Sequence, residues 1–262
     1  MSCPVALDIE RAAVATWPTT TALRRDGWLL RHCDRLRRRR SNSALPIGPP
    51  GDPESAIETV ERFYAERSSP AIVQVSPLDE HPVLDELLAA RGYRADAPTA
   101  IMRSSRDALL QACPAQDFDV LLDDSPAPRW LDAVAAVGGR PEPSLDRVPA
   151  PVAFATAVRR GAPVGVGMFA VADGWCGVYG MRTDERWRRR GVAAALMRAG
   201  VAWSSAEQVF LQVESDNAVA RRRYAALGFI SAHAYHYRVL QSSCFSQVSR
   251  VNGGCPSIAR CG

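Results

Sequence analysis

The sequence predicts an α/β protein built of two related halves. Three observations carry this expectation. From about residue 151 to 240, strand-like and helix-like periodicities alternate. Segments of the first hundred residues echo segments of that region. Over 262 residues, 47% hydrophobic and 23% charged content suit a soluble globular chain with a sizeable core.

The opening "MSCPVALDIERAAVATW" has no basic stretch leading an apolar one, so no signal peptide is expected. No window reaches about 18 uninterrupted apolar residues, so no membrane span is expected either. The run Arg37–Arg40 reads as a solvated or substrate-facing strand. Further on, the stretch 114–151 is rich in Pro, Asp and Ala, with one helical segment near Arg129–Val137. Then "PVAFATAV" and "PVGVGMFAV" read as strands joined by a short turn, and "ADG" supplies the next turn before the strand "WCGVYGMRT", Trp175–Thr183. A helix opens at Val192, with Leu196, Ala199 and Trp203 at helical spacing. The strand "QVFLQVE", Gln208–Glu214, follows. "SDN" then caps a helix over Ala218–Leu227, which Gly228 ends, and "FISAHAYHYRVL" makes terminal strands. The Ser-, Gly- and Cys-rich remainder, 241–262, reads as a disordered tail.

All 32 basic residues are arginine, and the net charge is only +4. A uniform arginine preference weakens the meaning of any one arginine run and does not point to nucleic acid. The seven cysteines are scattered and none forms a C-x-x-C pair, which fits reduced thiols in a cytoplasm. Four histidines without clustered ligands give no metal site.

The stretch "DERWRRRGVAAALMRAG" lies between a strand and a helix. A helix N-terminus offers unpaired amides and the positive end of its dipole, so a loop converging there can hold a pyrophosphate. Gly191 permits close backbone approach, Ala193 keeps the next approach open, and Arg188, Arg189 and Arg190 can add charged contacts.

"RRRGVA", Arg188–Ala193, resembles the R/Q-x-x-G-x-G/A acyl-CoA loop of the Gcn5-related N-acetyltransferases. "NAVARRRYAALGF", Asn217–Phe229, is similar to that family's N-x-x-A-x-x-x-Y-x-x-x-G-F signature at every position. The resemblance covers roughly Asp117 to Leu240. It implies a mixed, mostly antiparallel sheet flanked by helices. It also implies acetyl-CoA as co-substrate without a metal, and direct attack by a primary amine in a ternary complex. The strand ending at Thr183 would splay from its neighbour and offer backbone groups of Met181 and Thr183 to the pantetheine arm. The Met181 amide would polarise the thioester carbonyl. Amides of Arg189, Arg190, Gly191, Val192 and Ala193 would bind the pyrophosphate, and Asn217 would reach the cofactor arm. Tyr224 would protonate the departing thiolate, with Glu214 as the candidate base.

In the first half, "AIVQVS" echoes "VFLQVE", and "LDELLAARGYRADAPTAIM" echoes "ARRRYAALGFISAHAYHYR". Leu88 falls where Tyr224 stands, and "GPPGDPES", Gly48–Ser55, where the phosphate loop stands. Asp52 would repel a pyrophosphate, and the prolines remove amide donors. The expected organisation is therefore a degenerate half over 1–104, a linker over 105–116, an acetyltransferase half over 117–240 and the tail. "DGWLLRHCDRLRRRRSNSALPIG" also resembles N-terminal halves of bacterial tandem acetyltransferases, which would shape the acceptor pocket. Such relatives suggest N-acetylglutamate synthesis, with arginines near Arg31 and Arg38–Arg40 on a dicarboxylate. A small molecule or amino acid is the expected acceptor, and protein N-termini are the rival. A CoA-binding sensor without catalysis and a nucleic-acid binder are the readings from other classes. No membrane partner is expected, and a homodimer stays open.

Overall fold

The computed structural model describes residues 4–48, 52–77, 81–148 and 151–240. The tail at 241–262 lies outside them, as do residues 49–51 of the Gly48–Ser55 stretch. The first half runs α1 (Pro4–Ala15), β1 (Thr21–Arg25), β2 (Trp28–His32), β3 (Ala44–Pro46), α2 (Pro53–Ala65), β4 (Ile72–Val75), α3 (Pro82–Ala90) and β5 (Arg94–Ser105). The stretch read as a linker carries α4 (Arg106–Ala112), whose Leu109 is fully buried. The second half runs β6 (Asp119–Asp123), α5 (Pro128–Ala136), β7 (Val152–Arg159), β8 (Ala162–Ala172), β9 (Trp175–Thr183), α6 (Val192–Ser204), β10 (Gln208–Glu214), α7 (Ala218–Ala226) and β11 (Ile230–Val239).

Two expectations are corrected. The run Arg37–Arg40 is not a strand: the chain is irregular there and ends in a 3-10 turn over Arg39–Ser41. The strand β6 was hidden by its Pro- and Asp-rich surroundings. It is an edge strand with Leu121 and Leu122 exposed, so it lacks the alternation that marks a half-buried strand. The terminal stretch forms one strand rather than several, irregular between Ser231 and His233 and between Tyr235 and Tyr237.

Among the described residues, eleven strands form one sheet in the order β1-β2-β3-β4-β11-β5-β10-β9-β8-β7-β6. Only β3 with β4 and β9 with β10 run parallel. The sheet is thus mixed and mostly antiparallel, and each half repeats the same motif of helix-linked strands. The halves also exchange their last strands. β5, from the first half, pairs with β10 of the second, and β11 pairs with β4 of the first. The registers show the repeat directly: Gln212 faces Ile101, and its counterpart Gln74 faces Tyr237. The Gln-Val pairs read from the sequence therefore occupy equivalent places about a pseudo-twofold between β5 and β11.

Alternation along the strands separates two cores. Phe154, Met168, Tyr179 and Phe210 pack with α1 and α5, while Ala155, Phe169, Val178 and Leu211 pack with α4 and α6. A third core under α2 and α3 holds Trp28, Tyr64, Val73 and Leu88.

The exchanged β11 is fastened to α3 by charge. Arg238 donates to both oxygens of Asp85 at 2.7 Å, and His236 contacts the same carboxylate at 2.7 Å. Arg238, opposed by partial burial and aided by His236, holds the Asp85 carboxyl below its ordinary value of 3.8. A depressed carboxyl contributes stability above its unfolded value and loses it as pH falls through the folded one. Urea midpoints of the wild type and Asp85→Asn should therefore differ most at about pH 6, and the gap should narrow as pH falls below 3.8. A gap that does not narrow on acidification would show that the charge is not the source.

Candidate active site

The site begins where two parallel strands part. Pairing of β10 with β9 ends at Leu211 with Val178, yet both strands continue, to Glu214 and Thr183. Against β8, Val166 faces Arg182 and Met168 faces Tyr179, so Gly180 and Met181 together oppose Gly167. This is a bulge, and Gly180 takes the φ of +59° that it needs. The splay expected at the end of β9 is present, and the bulge sits at Met181.

The loop after β9 is held by its own charges. Asp184 caps the 3-10 turn Glu185–Trp187 and binds Arg186, while Arg188 pairs with Glu185 at 2.8 Å. Arg190 stacks on Trp187. Gly191 then precedes α6 at φ +87°, and a Cβ there would lie 2.4 Å from Oε1 of Gln116. Val192 is buried and anchors the first turn of the helix. Arg186, Arg188, Arg189, Arg190 and Arg223 surround one open basin with Glu185 as its acid. Such a basin at a helix N-terminus suits a polyphosphate.

From the basin a groove of about 370 Å³ runs between the end of β9 and α7. Met181, Thr183, Arg188, Ala193, Asn217 and Tyr224 all line it. Asn217 caps α7, its Oδ1 accepting from the Ala220 amide at 3.0 Å. Ala220, Tyr224 and Leu227 turn toward the core while Arg221, Arg222 and Arg223 are exposed, as the helical spacing predicts. The Tyr224 ring meets Phe229 edge-on at 5.8 Å. Burial pushes its hydroxyl above the ordinary tyrosine value, and Arg223 pulls part of that shift back.

Tyr224, Met181 and Asn217 also line a second pocket of about 420 Å³ on the far side of the splay. Glu214 stands there at the end of β10. The first half supplies Trp17, Arg38 and Arg40 to the same space. No local pattern marks Trp17, nor Glu142, which pairs with Arg38 from a Pro-rich loop. Arg31 is corrected: it is buried, donating to Ser43 and at 2.8 Å to Gln74, and does not line this pocket. Arg39 pairs with Asp96 instead.

Among the described residues, the equivalent places in the first half are filled. Leu88, in the place of Tyr224, is fully buried in the third core. Asp52 accepts from the amides of Glu54 and Ser55, occupying donors that a phosphate would need. Arg91 and Tyr93 bind Glu61 and close α3 onto α2.

A splayed β9/β10 pair, an arginine-rich loop opening a helix and a capped helix carrying a half-buried tyrosine define a Gcn5-related N-acetyltransferase. Residues 7–238 match the family described as probable histone acetyltransferase Rv0428c C-terminal, and the chain belongs to it. An uncharacterized N-acetyltransferase of Bacillus subtilis, YobR, is 24% identical over 241 residues, covering 88% of this chain and 97% of the relative. A GCN5-related N-acetyltransferase from Kribbella flavida superposes with a TM-score of 0.71 at 18% identity, over 93% of this chain and 98% of that one. A tandem GNAT protein from the clavulanic acid biosynthesis pathway gives 0.58 at 14% identity, over 81% and 73%. Among the described residues, no helix is long and apolar enough to cross a membrane, and no cluster of His, Cys, Asp or Glu could hold a metal.

Proposed function

We propose that this chain transfers acetyl from acetyl-CoA to the primary amine of a small molecule or amino acid, by direct attack in a ternary complex. The observation that carries the reading is the continuity of the groove and the second pocket through Met181, Asn217 and Tyr224. Acetyl-CoA, when bound, supplies a thioester whose acetyl carbon accepts the amine. The loop Arg188–Ala193 fits its phosphates: Gly191 has the backbone a close approach needs, and five arginines surround the basin beside it.

Each residue then has a task. Glu214 takes the proton that the ammonium must lose before its lone pair can form the new C–N bond. The Met181 amide, at the bulge, donates to the carbonyl oxygen where negative charge develops. Tyr224 gives its proton to the sulfur as the C–S bond breaks, and a raised pKa keeps that proton in place at neutral pH. Buried, free Cys33, Cys113 and Cys176 take no part and suit a cytoplasmic setting. The first half acts as a wall of the acceptor pocket rather than as a second CoA site.

The test is thiol release from acetyl-CoA by the full chain against a panel of amines that includes amino acids, a polyamine and a lysine peptide. Turnover with a small amine is expected. Acetyl-CoA binding without thiol release from any amine would make the chain a sensor.

A further inference from the structure

The pocket that receives the amine does not end there. A cavity of about 410 Å³ adjoins it, and Trp17, Arg38, Glu142, Tyr179 and Gly180 line both. Together these exceed what an amine alone would fill. The far part is apolar: Trp130, Val134, Leu145, Val166 and Met168 line it, and all are buried. Arg38, Arg140 and Arg182 border it.

Charge in the joined space is lopsided. Arg38, Arg40, Arg140 and Arg182 line it with two carboxylates, Glu142 and Glu214. Glu142 is already paired with Arg38. Arg40 differs from Arg38 and Arg39, which pair with Glu142 and Asp96. Among the described residues Arg40 makes no ion pair, and its guanidinium lies 4.5 Å from the Trp17 ring centre and 5.6 Å from that of Tyr179. A stacked guanidinium keeps its edge N–H groups for a planar anion. Its support is fixed: Trp17 Nε1 donates to Ser41 Oγ at 2.9 Å, and the Tyr179 hydroxyl meets Thr16 Oγ1 at 2.6 Å.

We infer that the acceptor is an apolar amino acid, with its carboxylate on Arg40 and its aromatic or branched side chain in the cavity beyond. The inference rests on the acetyl-transfer reading above. Glutamate would leave the buried apolar lining uncovered, its second carboxylate meeting only the exposed Arg140 and Arg182 at the border. A lysine side chain or a polyamine would bring further cations to a cationic space.

Trp17 and Trp130 make the cavity observable without turnover. Titrating the full chain with N-acetyl-L-phenylalanine should change tryptophan emission saturably. N-acetylphenethylamine, which lacks the carboxylate, should bind about tenfold more weakly or worse. Arg40→Gln should erase that difference, and Arg40→Lys should restore part of it. In thiol release, phenylalanine should exceed both phenethylamine and glutamate in kcat/KM by about tenfold or more. Equal binding of the two acetylated amines, no saturable binding, or preference for glutamate or a lysine peptide overturns the inference. Binding of N-acetyl-L-phenylalanine with no thiol release from any amine supports this pocket and sinks the acetyl-transfer reading instead. Release with other amines but no such binding does the opposite.

Discussion

Tyr224→Phe should bind acetyl-CoA as the wild type does, within about two- to threefold, while kcat falls by roughly 10²-fold or more. The substitution removes one hydroxyl and keeps the ring that packs on Phe229. Binding and chemistry should therefore separate cleanly. Calorimetry with acetyl-CoA reads the first, and thiol release under saturating amine reads the second. The pH profile adds a readout that packing alone would not move. Burial raises the Tyr224 hydroxyl above 10.0, so the alkaline limb that reports its ionisation should lie above that value. In Tyr224→Phe that limb should disappear. A variant with wild-type kcat would show that another group, or water, protonates the leaving thiolate.

Gly191→Val should weaken acetyl-CoA binding by about tenfold or more and leave the fold in place. At φ +87° a β-branched residue is strained by about 1–3 kcal/mol, and relief means turning the loop amides away from their present directions. A side chain there also meets Gln116, though Gln116 can move. Gly191→Ala, which carries less strain, should fall between the two. Isothermal titration gives the affinities, and thermal unfolding checks that the loss is local. Unchanged affinity in Gly191→Val would remove this loop from the phosphate site.

The second half was legible because its two motifs place particular residues at particular spacings. Gly191, Asn217 and Tyr224 are fixed by a backbone conformation, a cap and a hydroxyl, and each leaves a mark that one sequence can show. The repeat was legible for a related reason: Gln74 and Gln212 hold the same place in paired strands. The residues that the first half supplies to the second pocket left no such mark. Trp17 follows α1, Arg40 sits in a short turn, and Glu142 lies in a Pro-rich loop. These residues come together only through the sheet, and no local rule ties one to another. The role given to Arg31 failed for the opposite reason. Its type suited a ligand, but its position on an inward face committed it to Ser43 and Gln74. The exchange of last strands was also invisible, since either pairing satisfies the same alternation of apolar residues.

That exchange sets an order of events during synthesis. The chain emerges from its N-terminus, and β4 has β3 on one side only until the last described strand arrives. An unpaired strand edge invites the wrong partner for as long as it is open. β5 likewise waits for β10 and β11 before it is enclosed. The first half therefore cannot be finished before the second, and a ribosome stalled midway would hold a fragment with its hydrogen-bonding edge exposed. The pocket lined by Trp17, Arg38 and Arg40 and the groove lined by Met181 and Tyr224 thus mature together, since the first half that supplies part of the pocket is closed only when the last described strand pairs.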